Sequence, residues 1–363
     1  MRKKNISIIL PNLDGGGAER VNLDLAHEFD RKGFQVEFVL MQARGELMKE
    51  AEDKFSVFNM NCERARNISS YLRKYFRNRK PDVLIISIWP LTVIVPIVLY
   101  FSSYSCKVII CEHNTLSLQY KKYGKFHHLA MRVSMAVGYR LAHSRVGVSK
   151  GVIEDISNLS WIGLRKFKVI HNPVRQISNP SEQSLKDIET LWSCESGARI
   201  LSVGSFKKQK NHQLLLRAFA QLENKNAHLM LVGEGEGKNY LLKLTSELGL
   251  AEKVTFAGFQ IDPTPFYKTA DLFVLSSNYE GFGNVIVEAL ACGTRVVSTD
   301  CKSGPSEILE KGKYGILVPV SNENALSSAI KQALSSPKNP SLLIERAKNF
   351  AQDIIAERYL DLL

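Results

Sequence analysis

Three observations predict an α/β chain of two doubly wound domains, each a parallel sheet with helices on both faces. The 363 residues are too many for one ordinary domain and suit two of roughly 150–200. Short apolar runs alternate with segments of helical periodicity in both halves. Between the halves lies a polar stretch, 176–186 (QISNPSEQSLK), that reads as a linker. The domains are accordingly placed at 1–175 and 176–344.

In the first half, ISIIL at 6–10 is a buried strand and PNLDGGGAER is its turn into a helix. That helix shows apolar spacing at Val21, Leu25 and Phe29 and is ended by Gly33. Residues 35–40 alternate as a strand, 67–79 form a basic helix, and 83–87 are the next strand. Residues 83–106 carry no charge and would be long enough to span a bilayer. Pro90 and Pro96 interrupt them, however, so the segment reads as a strand to Ser87 and an apolar helix over about 91–101. A strand over 107–111 runs into Glu112-His113-Asn114. It is followed by a long basic helix at 121–143 and strands at 145–149 and 168–170. The second half repeats the alternation: strands at 199–204, 228–233, 254–258, 270–275 and 294–299, with helices at 211–222, 237–248 and 285–291. Residues 341–363 form a helix-rich tail.

Apolar content of 45% and charged content of 23% are those of an ordinary globular protein. The net charge of +12 is uneven. Residues 1–176 hold 28 Lys and Arg against 15 Asp and Glu, leaving 20 against 21 for the remainder. The first half therefore faces something anionic, a membrane surface or nucleic acid, or is simply a solvated basic face. Six cysteines, at 62, 106, 111, 194, 292 and 301, show no C-x-x-C and no paired spacing, the usage of a reducing compartment with free thiols. The apolar run after Met1-Arg-Lys-Lys is too short for a signal peptide, which gives a cytoplasmic reading.

The chemistry concentrates in 276–315, SSNYEGFGNVIVEALACGTRVVSTDCKSGPSEILEKGKYG. A strand, a glycine turn and a helix start make an anion site, because first-turn N–H groups lack helical partners and the dipole favours negative charge. Glu280 and Glu288 bracket that turn. Carboxylates accept hydrogen bonds and do not attract phosphate, so both suit hydroxyl groups. Hydroxyls on either side of a phosphate describe a nucleotide sugar.

Over these forty residues, the E-G-F-G…E segment followed by E-A-L-A-C-G resembles the retaining glycosyltransferases of family 4, which have the GT-B fold. The resemblance implies two Rossmann-like domains facing across a cleft, with a C-terminal helix at about 345–363 packing back on the first. It implies catalytic roles for Glu280, His113 and Lys210. His113 is similar to the family's histidine facing the transferred sugar, and Lys210 to the lysine that neutralises the leaving diphosphate. Donor contacts are implied for Gly16, Gly17, Ser205, Lys210, Gly233, Phe259, Phe282, Gly283, Asn284, Val285 and Glu288, the last on the ribose. Ser205 stands where the family carries arginine, so Lys207, Lys208 or the backbone would supply the second positive group. For Gly16 and Gly17 the alternative is a tight turn without a ligand.

The implied reaction moves a hexose or N-acetylhexosamine, with retention, from a nucleotide sugar, by family frequency UDP-linked. The implied acceptor is a lipid-linked, lipopolysaccharide, O-antigen or capsule glycan at the cytoplasmic membrane face. Tyr, Phe, Leu and Met interleave with Lys and Arg around 71–80 and 120–143, a composition suited to an anionic bilayer. No D-x-D segment lies in a metal-binding context, so neither metal nor other cofactor is expected. Two other readings stay open at this level: a GT-B epimerase acting on free UDP-sugar, and a basic nucleic-acid-binding protein. No recognised motif favours nucleic acid as a partner.

Overall fold

The computed structural model describes residues 3–175, 177, 179–192, 197–222 and 226–363; Cys194 and the linker residues Gln176 and Ser178 lie outside them. The chain divides into two compact units, Met1–Val174 with Phe350–Leu363, and Arg175–Asn349.

The first unit holds seven parallel strands: β1 (Asn5–Leu10), β2 (Gln35–Leu40), β3 (Ser56–Asn59), β4 (Val83–Ser87), β5 (Lys107–Glu112), β6 (Ser144–Gly147) and β7 (Lys168–Val169). They lie in the order β3-β2-β1-β4-β5-β6-β7. β1 is central, Ile8 pairing with Phe38 on one side and Ile85 on the other. Its near-continuous apolar sequence follows from helices covering both sheet faces. The fully buried polar residue Ser7 is satisfied in place: its Oγ lies 2.7 Å from Tyr75 Oη, which donates to Glu37 Oε2 at 2.6 Å.

The second unit holds β8 (Arg199–Val203), β9 (His228–Val232), β10 (Val254–Gly258), β11 (Leu272–Leu275), β12 (Arg295–Thr299) and β13 (Ile316–Val318), ordered β10-β9-β8-β11-β12-β13. Both orders run outward from the first strand in one direction, then restart on its other side. The switch points fall between β1 and β4 and between β8 and β11, where open α/β sheets bind ligands beyond the strands' carboxyl ends. Two Rossmann-like parallel-sheet units are thus the observed fold.

The uncharged 83–106 segment folds as read, into β4 and the helix Leu91–Tyr100. No helix among the described residues is long and apolar enough to cross a membrane. Several local expectations change. The linker ends in a helix, Glu182–Leu191, because Ser181 caps it by accepting from the Ser184 N–H. The long helix at 121–143 shrinks to Lys125–Gly138, opened by Gly124 and closing into a 3-10 turn at Tyr139–Leu141. The strand at 145–149 is Ser144–Gly147, since Ser149 instead caps the helix Lys150–Ser160. The single tail helix is two, Pro340–Lys348 and Gln352–Leu360, broken where Val174 N–H donates to Phe350 O. Gln352–Leu360 packs on the helix Gly17–Arg31 of the first unit, burying Ile355, Ala356 and Tyr359. The five described cysteines are free.

Candidate active site

In the second unit, loops leaving neighbouring strands converge beyond the sheet's carboxyl edge. After β8 the chain runs through Gly204 and Ser205 to Lys210, and Asn211 then turns it into the helix His212–Ala220. After β11 it runs through Ser276 and Ser277 to Glu280 and opens the helix Asn284–Ala291 at Gly283. The two loops are laced together across the switch point. Asn278 N–H donates to Gln209 O at 2.8 Å, Ser276 Oγ to Lys210 O at 2.9 Å, and Asn211 Nδ2 to Asn278 Oδ1 at 3.0 Å. This lacing brings Lys210 Nζ to 2.7 Å from Glu280 Oε1, which also accepts from Ser277 Oγ at 2.6 Å. Glu280 is buried, so the ammonium offsets a charge that would otherwise be costly away from water.

Gly283 has φ +101, a left-handed turn from which the next helix starts. Asn284 and Val285 begin that helix. Phe282 is buried, so it offers backbone only, and Gly304 packs against its carbonyl. Further along, Glu288 Oε2 accepts from Tyr267 Oη at 2.9 Å. Burial, then the adjacent Glu288 carboxylate, holds the Tyr267 phenol well above its ordinary range, so it stays a donor. From β9, Gly233 approaches so closely that a Cβ there would lie 2.2 Å from Gly204 O. Ser205 is partly exposed beside the buried Phe206, and Phe259 is exposed just past β10. Lys207 and Lys208 are exposed.

Gly16, Gly17 and His113 belong to the first unit. Gly16 is extended and Gly17 begins the helix Gly17–Arg31, with open space where a side chain would stand. His113 follows β5, its Nε2 3.3 Å from Ser87 Oγ at the end of β4. Desolvation lowers its pKa to about 4, partly opposed by a hydrogen bond with Asn172, so the ring is neutral at ordinary pH. Its neighbour Glu112 is buried. Desolvation raises its carboxyl to about 7, against hydrogen bonds from Thr92 Oγ1 at 2.5 Å and Tyr139 Oη at 2.6 Å.

Lys210 and Glu280 are therefore in direct contact, with Gly283, Asn284 and Val285 on the same loop and helix as Glu280. Sequence reasoning missed Ser277 and Tyr267, which hold the two carboxylates, and Ser87 and Asn172, which hold His113. Ser277 lay in the strand–turn segment already singled out; the other three sit far away in sequence and carry no local signal.

Two family models match the chain: Glycosyltransferase Family 4 over residues 15–175 and Glycosyl transferases group 1 over residues 193–350. A Campylobacter jejuni N-acetylgalactosamine-N,N'-diacetylbacillosaminyl-diphospho-undecaprenol 4-alpha-N-acetylgalactosaminyltransferase is 35% identical over 246 residues, 68% of this chain and 65% of that relative's length. The Rhizobium meliloti lipopolysaccharide core biosynthesis glycosyltransferase LpsE is 28% identical over 357 residues, 96% of each chain. Among solved structures, Anabaena HepE in complex with UDP-glucose superposes with a TM-score of 0.83 at 20% identity, over 98% of each chain. That likeness concerns the fold.

Proposed function

The chain belongs to the family 4 glycosyltransferases of GT-B fold, and from that membership we propose that it transfers a hexose or N-acetylhexosamine, with retention, from a UDP-sugar to a lipid-linked or lipopolysaccharide-type surface glycan at the cytoplasmic membrane face. The observation that carries the donor half is the Lys210–Glu280 contact at the switch point between β8 and β11, beside the helix start at Gly283. UDP-glucose in the Anabaena neighbour and the diphospho-undecaprenol glycan in the Campylobacter relative's name support the donor and acceptor classes.

In this reading the donor diphosphate lies against the Phe282–Val285 backbone and draws the Lys210 ammonium from Glu280. Glu280, so released, accepts from sugar hydroxyls. Glu288 accepts from the ribose hydroxyls, with Tyr267 fixing its second oxygen. As the glycosidic bond opens, the pair of electrons leaves with the phosphate oxygen, and Lys210 with the helix N–H groups stabilises the negative charge that builds there. The acceptor hydroxyl attacks from the same face and gives its proton to that oxygen. Neutral His113 is assigned to the transferred sugar as a hydrogen-bonding partner. Gly16 and Gly17 offer backbone N–H groups to the diphosphate or the acceptor. Gly233 and Phe259 line the base, and Ser205 leaves the second positive group to Lys207, Lys208 or the backbone. This reading has no metal ion in the reaction, which the EDTA arm below tests.

The test is thermal stabilisation by UDP-, GDP- and ADP-sugars, each with and without EDTA. A shift with UDP-sugars, insensitive to EDTA and abolished by Glu288→Ala, is expected. Lys210→Ala should slow transfer by roughly 10²–10³-fold, the usual effect of removing one group that stabilises transition-state charge. No shift with any sugar nucleotide would overturn the donor site.

A further inference from the structure

Behind His113 runs a chain of polar side chains in an otherwise apolar place. Asn22 sits on the core side of the helix Gly17–Arg31, beside Val21 and Leu25, and is 1% exposed. Ser87 ends the apolar strand β4 and is fully buried. Polar groups so placed are costly unless each is paired. Asn22 Nδ2 donates to Ala18 O at 2.8 Å, one turn back in its own helix. Ser87 Oγ donates to Asn22 Oδ1 at 3.2 Å and lies 3.3 Å from His113 Nε2.

The chemistry of these groups fixes the direction of the chain. A carbonyl oxygen only accepts, so Ala18 O must face the NH2 side of the Asn22 amide, and the amide oxygen is what Asn22 presents to Ser87. A serine has one hydroxyl proton, and Ser87 spends it on that oxygen. Ser87 Oγ can then only accept from His113, which puts the ring proton of the neutral imidazole on Nε2. Nδ1 is left as an acceptor. It is buried with no well-aligned hydrogen bond among the described residues, Asn172 approaching the ring without meeting it squarely. A buried acceptor in that state favours a partner that brings a proton, as a hydroxyl does.

We propose that Asn22 and Ser87 are positioning residues that hold His113 as the Nε2–H tautomer, so that Nδ1 accepts a hydrogen bond from a hydroxyl of the transferred sugar. The tautomer is set from the helix Gly17–Arg31, two side chains away from the ring. The assignment of the sugar as the hydroxyl's source rests on the glycosyl-transfer reading; the tautomer itself does not.

The experiment is long-range proton–nitrogen NMR of the full chain labelled with 15N-histidine, at pH 7, with the His113 signals identified by their loss in His113→Gln. A protonated Nε2 and an unprotonated Nδ1 are expected in the parent. Asn22→Ala frees the Ser87 hydroxyl to donate to Nε2, so the ring proton should move to Nδ1. Ser87→Ala should give a mixture of the two forms, and Ser87→Thr, which keeps the hydroxyl, should restore the parent pattern. Asn22→Ala and Ser87→Ala should also slow sugar transfer roughly 3–10-fold, the worth of one neutral hydrogen bond, while UDP, which carries no sugar, stabilises them as it does the parent. A parent protonated on Nδ1 would overturn the proposal. So would a His113 spectrum that neither alanine variant alters, which would leave Asn22 and Ser87 as core polar groups paired for stability alone. A tautomer that shifts as described in a protein that no sugar nucleotide stabilises would instead remove the glycosyl-transfer reading and leave the control of His113 standing.

Discussion

Glu112 ends β5 and His113 follows it, and the two titrate in opposite senses. His113, held down to about 4 against an ordinary 6.5, leaves the unfolded chain binding more protons between those values, so its contribution to stability is lost as pH falls from 6.5 towards 4. Glu112, raised to about 7 from 4.5, keeps its proton in the folded state while the unfolded chain ionises, so its contribution is lost as pH rises from 4.5 towards 7. Over the shared window the two oppose each other, and the first unit's stability should change little. Glu112→Gln removes one side of that balance. Its melting temperature should then fall steadily from pH 6.5 to 4, by the equivalent of roughly 3 kcal/mol. His113→Gln should show the reverse, a loss of stability between pH 4.5 and 7. Parallel pH profiles for the parent and both variants would show that neither group is perturbed as described.

At the scale of elements, the loop after β12 fixes the helix start proposed to bind the donor diphosphate. Gly304 has φ +91, and a Cβ there would lie 1.7 Å from Phe282 O. Gly304→Ala should therefore cost about 2–4 kcal/mol, read as a lower urea midpoint for the second unit, and weaken the UDP shift by displacing the Phe282–Val285 backbone. An unchanged midpoint would mean that the loop yields without moving its neighbour. The same stretch shows why so much was legible: its strand, glycine turn, carboxylates and following glycine all lie within forty residues, and local chemistry dictates each. Central strands were equally plain, because burial on both faces leaves uninterrupted apolar runs. β3 and β13 went unread, being three- or four-residue edge strands with only partly buried sequences. The helices at Lys150–Ser160 and Glu182–Leu191 were hidden by a serine cap preceding each, read as part of a strand and of a linker. Tyr267, Ser87 and Asn172 reach their carboxylate or imidazole partners only through tertiary folding, which no local pattern records.

At the scale of the molecule, the chain leaves the first unit after Val174 and re-enters it at Phe350. Tyr359 then closes the fold: fully buried, it sits edge-on to Phe29 with ring centroids 6.5 Å apart, and its Oη lies 3.1 Å from Cys111 Sγ. Tyr359→Ala should destabilise the first unit by about 3–5 kcal/mol through the cavity it opens. Calorimetry should show the first unit's transition lowered and the second's unmoved, whereas Tyr359→Phe should cost only about 1 kcal/mol. A variant that lowered both transitions equally would show that the two units unfold together. The return of Phe350–Leu363 also sets an order on the chain's birth. A ribosome delivers Phe29 early and Tyr359 only after the whole second unit, so the unit begun first is finished after the second has been made. Until then its Gly17–Arg31 helix shows a bare apolar face, and the unit begun second can be complete before the unit begun first.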